Sequence, residues 1–123
     1  MAGWLAVAGG GAIGAMLRYG VTLALSRPGA VSLPWHTLGV NVLGSLLLGL
    51  LMALLPADQS AEQWRLFLGL GVLGGFTTFS TFSYETLSLV QHGAWGTGAL
   101  YVFASVVASI LGAGLGYALG RAL

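Results

Sequence analysis

The chain has 123 residues, of which 57% are hydrophobic and only 6% charged, with 21 glycines, no lysine, no cysteine and a net charge of +1. A soluble domain is usually about a quarter charged, so this composition fits only an integral membrane protein. The small net charge argues against a nucleic-acid partner, and the absence of cysteine excludes a disulfide framework and thiolate metal sites.

A membrane-crossing helix needs about 20 apolar residues. Four segments reach that length: Trp4–Leu25, Trp35–Leu55, Trp64–Val90 and Thr97–Gly120. The breaks between them hold Ser26-Arg27-Pro28-Gly29, Pro56-Ala57-Asp58-Gln59-Ser60 and Gln91-His92-Gly93. The sequence therefore predicts one all-α transmembrane domain over residues 1–123, a compact four-helix bundle with antiparallel neighbours. The first segment lacks a basic leading stretch and carries Arg18 within its length, so it reads as a span and not a cleavable leader. Trp4, Trp35, Trp64 and Trp95 stand at the span starts. Indole favours the headgroup level, where its ring is apolar and its N–H is wet.

Arg65 and Arg121 fall near one membrane face, and Arg27 near the other with His92 as a partial charge. A positive-charge bias this small does not fix one orientation. Insertion both ways round, and an inverted pair of subunits, is the expectation. Small residues recur at four-residue spacing: Gly10 and Gly14 in the first span, Gly71 and Gly75 in the third, and Gly112, Gly116 and Gly120 in the fourth. Such stripes let helix backbones approach closely in lipid. They signal assembly and say nothing of substrate.

The polar residues are also periodic. Thr37, Asn41, Ser45 and Gly49 form one stripe of the second span, and Tyr101, Ser105 and Ser109 one stripe of the fourth. Asn41 is read either as an interhelical hydrogen-bonding group or as part of a path. The third span is the unusual one. Gly74-Gly75 followed by β-branched Thr77-Thr78 is poor helix material, so a break is expected there, freeing backbone carbonyls for water or a cation. Beyond it, Phe79 and Phe82 share a face, and Thr78, Thr81 and Glu85 a neighbouring one. Arg18 and Glu85 are the charges inside spans, read as functional groups, as partners of each other, or as snorkelling side chains.

Hydroxyls, an amide and an arginine supply hydrogen-bond donors, and phenylalanine ring edges carry partial positive charge. The chemistry favoured is anion passage. No metal-ligand cluster and no nucleophile–base pair is evident, and His36 and His92 lie at or beyond span ends, so an enzyme is not expected.

Three blocks together resemble a known family. They are Gly9-Gly10-Gly11-Ala12-Ile13-Gly14-Ala15 with Arg18-Tyr19, Pro34-Trp35-His36-Thr37-Leu38-Gly39-Val40-Asn41 with Gly44-Ser45, and Gly74-Gly75-Phe76-Thr77-Thr78-Phe79-Ser80-Thr81-Phe82-Ser83 with Glu85. In this order they resemble the Fluc (CrcB) fluoride channels over essentially the whole chain, and the third block is the most specific. The resemblance implies dual-topology homodimers in the cell membrane of a microbe, with two antiparallel pores that export fluoride passively and relieve its toxicity. It implies a structural Na⁺ at the dimer centre, held by backbone carbonyls that map onto Gly74 and Thr77. It maps the pore aromatics onto Phe79 and Phe82, the pore amide onto Asn41, and the vestibule arginine onto Arg18. The polar track falls on Tyr101, Ser105 and Ser109, with Ser80 and Thr81 as hydroxyl partners and Glu85 as the acid that follows. Two departures stand out: His36 where glycine is frequent, and Ala113 where another track hydroxyl is looked for. The alternatives are a small proton-coupled multidrug transporter, which uses an acid in its first span where this chain has none, and a non-transporting assembly subunit, which leaves the hydroxyl stripes unexplained.

Overall fold

The computed structural model describes residues 2–26 and 31–123, so Arg27 and the rest of the loop 27–30 lie outside the described residues. Helices are the only regular elements among the described residues. Helix α1 is Ala2–Leu25, α2 is Trp35–Leu54 and α5 is Trp95–Ala122. Between α2 and α5 runs a long helical stretch, Gln59–Gln91, interrupted once. Its first part opens with a 3₁₀ turn at Gln59–Ala61 and continues as α3 (residues 62–76). Its second part is α4, Phe79–Gln91. Trp35–Leu54, Gln59–Gln91 and Trp95–Ala122 are each long and apolar enough to cross a membrane.

The loop into α3 is built by Asp58. Its carboxylate accepts hydrogen bonds from the Ser60 hydroxyl and amide. Those bonds hold its pKa below the usual carboxylate range, so the loop stays charged and in water. The α4–α5 turn is set by Gly93, the one described residue with positive φ, at 76°. Gly93 N–H donates to Val90 O and Ala94 N–H to Leu89 O, the paired bonds of a Schellman cap.

Small residues decide which helices meet. A Cβ on Gly14 would overlap the Val72 carbonyl, and one on Gly10 would overlap the Phe67 carbonyl. Gly75 in turn abuts the Gly11 carbonyl. Residue numbers climb together along this seam, so α1 and α3 run parallel. A second parallel seam joins α2 and α5, where Gly112, Gly116 and Gly120 face Val42, Leu46 and Leu50 in turn. Gly49 returns the contact against the Ala113 carbonyl, so the position where a further track hydroxyl was looked for is part of this seam. Helix α4 packs antiparallel to α5, and Phe82, Leu89 and Tyr101 form a small core with Leu33, Leu38 and Ala94.

Much of the remaining surface is apolar. Leu5, Met16, Phe103, Ile110 and Leu111 are exposed, as are all four tryptophans. A water-soluble domain does not leave this much large apolar surface open; lipid solvates it. The seams carry a testable consequence. Gly116→Val places a Cβ against the Leu46 carbonyl, whereas Gly114 has open space around it. Overpacking costs about 1–3 kcal/mol. Gly116→Val should lower the melting temperature of the purified protein by roughly 5 °C or more, with Gly114→Val near wild type. Equal melting of the two variants refutes the seam.

Candidate functional site

The break in the long stretch falls at Thr77 and Thr78, not at the glycine pair. Gly74 keeps helical angles (φ −64°, ψ −37°), and Gly74–Phe76 is a helical turn. Thr77 (φ −77°, ψ 158°) and Thr78 (φ −152°, ψ 124°) are extended. The break expected within Gly74–Thr78 is therefore present and confined to its two threonines. Gly75 is glycine because α1 passes so close that a Cβ there would lie 2.6 Å from the Gly11 carbonyl oxygen. β-branched threonine favours extended backbone. Before the break, residues Arg65–Leu73 form wide π-helical turns, a local geometry frequent at functional sites.

Asn41 holds the break. Its Nδ2 donates to Thr78 O (2.9 Å), and Thr78 N–H donates to its Oδ1 (2.8 Å). Both backbone groups of Thr78 are satisfied by one side chain, which an apolar surrounding demands. The Thr78 amide would otherwise close a helical turn on the Gly74 carbonyl. The Thr77 carbonyl has no hydrogen-bond partner among the described residues. Thr78 Oγ1 then caps α4, accepting from Thr81 N–H (3.2 Å) and donating to Thr81 Oγ1 (3.0 Å), with Ser80 Oγ at 3.5 Å. Gly44 leaves space that the Thr77 methyl occupies.

An open groove of about 440 Å³ lies beside the break. Thr77 and Thr78, Asn41 and Ser45, Phe79 and Phe82, and Ser105 and Ser109 all line it. The two phenylalanine rings lie 5.4 Å apart and tilted by 49°. They differ in setting: Phe82 is 8% exposed and stacks obliquely on Tyr101, while Phe79 is 76% exposed and points out of the subunit. Ser105 is 5% exposed, and its hydroxyl has no partner among the described residues. Other hydroxyls here bond back to their own helix: Thr22 to Arg18 O, Thr77 to Leu73 O, Ser83 to Phe79 O and Thr86 to Phe82 O. Ser105 does not, so its donor is free for something in the groove.

Glu85 sits beyond the groove in a cluster of its own. Its Oε1 accepts from Thr37 Oγ1 (2.9 Å), its Oε2 accepts from Tyr101 OH (2.6 Å), and His36 Nε2 is 3.0 Å from Oε1. Tyr101 is fully buried. Arg18 is elsewhere, on the α1–α3 side, donating through Nε to the Gly75 carbonyl (3.2 Å). The Arg18–Glu85 pair considered from the sequence does not form. The structure therefore gathers Asn41, Phe79, Phe82, Ser105 and Ser109 at one groove, joins Tyr101 to Glu85, and sets Arg18 apart; Ser80 is exposed at the α4 N-terminus. Sequence reasoning missed His36 as a partner of Glu85. No local signal marks it, because periodicity along α2 does not register that helix against α4.

With this geometry described, comparison places the chain among known proteins. The family described as "CrcB-like protein, Camphor Resistance (CrcB)" matches residues 5–117. The chain belongs to the CrcB family. CrcB relatives named "Fluoride-specific ion channel FluC" match it nearly end to end. One from Thermus thermophilus is 50% identical over 120 residues, 98% of this chain and 94% of the relative. Another, from Agrobacterium fabrum, is 50% identical over 118 residues, 95% of this chain and 94% of the relative. A third, from Novosphingobium aromaticivorans, is 51% identical over 118 residues, 94% and 93% of the two chains.

Proposed function

We propose that this protein is a fluoride-selective channel of the cell membrane that lets F⁻ leave the cytoplasm passively and so limits its toxicity. The observation that carries the reading is the unpaired Ser105 hydroxyl in the groove beside a helix broken inside the membrane. It occurs in a chain half identical to proteins named for fluoride conduction. Fluoride is small and strongly hydrated, so a selective path must replace its water with closely placed donors and no competing acceptor. The groove supplies the hydroxyls of Ser105 and Ser109, the ring edges of Phe79 and Phe82, and the amide-rich N-terminus of α4. A helix N-terminus carries a partial positive charge that favours an anion.

Further elements of the proposal are the four-span subunit, with α1 as the fourth span, and its pairing with an inverted second copy. Helix α1 has 24 residues, about 36 Å of helix, enough to cross about 30 Å of hydrocarbon. Phe79 points outward at membrane depth, so a second subunit is what brings it to a path. Two copies would give two antiparallel pores, each sharing residues of both chains. A central Na⁺ fits the break. The Thr77 carbonyl is unpaired and the Gly74 carbonyl is left by the diversion of the Thr78 amide to Asn41. Hard cations take oxygen ligands, and Gly74 and Thr77 of two copies would offer four. The ion would neutralise repulsion between carbonyls facing each other at the two-fold axis.

Proteoliposomes test the reading directly. With valinomycin and a K⁺ gradient, a fluoride electrode should record rapid F⁻ efflux, with Cl⁻ efflux slower by at least roughly two orders of magnitude, a selectivity of about 2.8 kcal/mol. Equal release of both halides defeats it. Phe79→Ile and Phe82→Ile should each cut fluoride efflux while the protein still elutes as a folded dimer. Unchanged efflux in both variants removes the aromatic rings from the path.

A further inference from the structure

The Glu85 cluster contains one group that the channel reading leaves unused. His36 stands in the first turn of α2, and its Nε2 lies 3.0 Å from Glu85 Oε1. Glu85 is already served by two hydroxyl donors, Thr37 on Oε1 and Tyr101 on Oε2. The carboxylate does not need a third donor for its hydrogen bonding. What His36 adds is an imidazole, the side chain type whose ordinary charge change falls between pH 5 and 8. Both side chains are partly buried, 18% and 17% exposed, so water screens their interaction only in part.

We infer that His36 is a proton-controlled charge at the mouth of the anion path, and that acidification raises conductance by neutralising Glu85. The inference rests on the channel reading above. With His36 neutral, the cluster presents one net negative charge to an approaching anion. With His36 protonated, imidazolium and carboxylate cancel. The cluster opens onto a wide cavity lined by the end of α1 (Ala24, Leu25, Ser26), the segment before α2, His36 itself, and the Tyr84–His92 side of α4. Its titratable groups among the described residues are His36, Tyr84, Glu85 and His92, with Tyr101 behind Glu85. The tyrosines ordinarily titrate far above this range. His92 is the other imidazole, and its Nδ1 lies 2.8 Å from Ser88 O, away from Glu85. The device therefore belongs to His36 and not to the cavity as a whole.

The sign follows from the charge. Repulsion of fluoride at the mouth is present above the imidazole range and is lost as pH falls through it. Removing one charge at the mouth should raise anion current by about threefold between pH 7.5 and 5.5. Planar-bilayer current is the appropriate readout, because neutral HF carries none. Wild-type fluoride current should show that rise. His36→Gln should give a flat profile near the wild-type value at pH 7.5. His36→Arg, with a permanent charge, should give a flat profile near the wild-type value at pH 5.5. His92→Gln should keep the wild-type profile. Fluoride current with the same pH dependence in wild type, His36→Gln and His36→Arg overturns this inference and leaves the channel reading standing. A pH dependence lost in His92→Gln assigns the effect to the other imidazole and likewise overturns it. An absence of fluoride current at every pH overturns the channel reading, and this inference with it.

Discussion

Asn41→Leu should cut fluoride efflux by more than about tenfold and lower the melting temperature of the same preparation. Two backbone groups depend on this one amide: the Thr78 N–H and C=O, bonded at 2.8 and 2.9 Å. Leucine nearly matches asparagine in size and satisfies neither. Each orphaned group costs about 1–3 kcal/mol, and inside a membrane no water replaces the partner. The chain can recover the bonds only by letting the break move, for example by closing the Thr78 amide onto the Gly74 carbonyl. That rearrangement would turn Phe79 and Phe82 relative to Ser105 and would occupy a carbonyl proposed for Na⁺. Asn41→Asp is the informative companion. It keeps an acceptor for the Thr78 amide but sets a second acceptor, and a charge, against the Thr78 carbonyl. It should be impaired as severely as leucine. Efflux within about twofold of wild type in either variant would falsify the role given to Asn41, since one lost charged or buried bond already exceeds that ratio.

Asn41 also shows how far the sequence could be read. An amide four residues from Thr37 and Ser45 on one helix face plainly needs a partner, and two kinds of partner were available. Only the fold reveals that it grips the break itself. The glycine stripes were legible because close-packing rules act residue by residue. The seams follow them, α1 on α3 through Gly10, Gly14, Gly71 and Gly75, and α5 on α2 through Gly112 and Gly116. The site of the break was legible only in part. Glycine is a poor helix former and is also the residue that lets helices touch, and the two meanings cannot be separated in one sequence. At Gly75 the second meaning holds, and Thr77-Thr78 alone carries the first. The Glu85 cluster was hidden for a different reason. His36, Thr37, Glu85 and Tyr101 come from three helices, and nothing in local periodicity registers α2 against α4.

The break places opposite partial charges back to back. Helix α3 ends at Phe76 with carbonyls directed onward, and α4 begins at Phe79 with amides directed back. A continuous helix would cancel these ends against each other in hydrogen bonds. Two extended threonines separate them, so that one end is suited to a cation and the other to an anion. The same two residues therefore account for both ions in the proposed function, and Asn41 is the group that keeps them extended.

Ser105→Ala is expected to separate conduction from folding more cleanly than any other substitution in the groove. The hydroxyl is buried and has no partner among the described residues, so its removal breaks no hydrogen bond there. Deleting a buried polar group that is unpaired is neutral or stabilising. The melting temperature should therefore stay the same or rise slightly. Fluoride efflux should fall, because a hydrogen bond to a charged partner is worth about 1.5–3 kcal/mol, or roughly 10- to 100-fold. Ser105→Thr keeps the donor and should retain most of the flux if the added methyl is accommodated, with melting temperature reporting whether it is. Tyr101→Phe provides the contrast. It deletes a 2.6 Å bond to Glu85 from a fully buried ring, so stability and flux should fall together. A Ser105→Ala protein that melts lower and conducts normally would mean that the hydroxyl serves packing between subunits and that the anion path runs elsewhere.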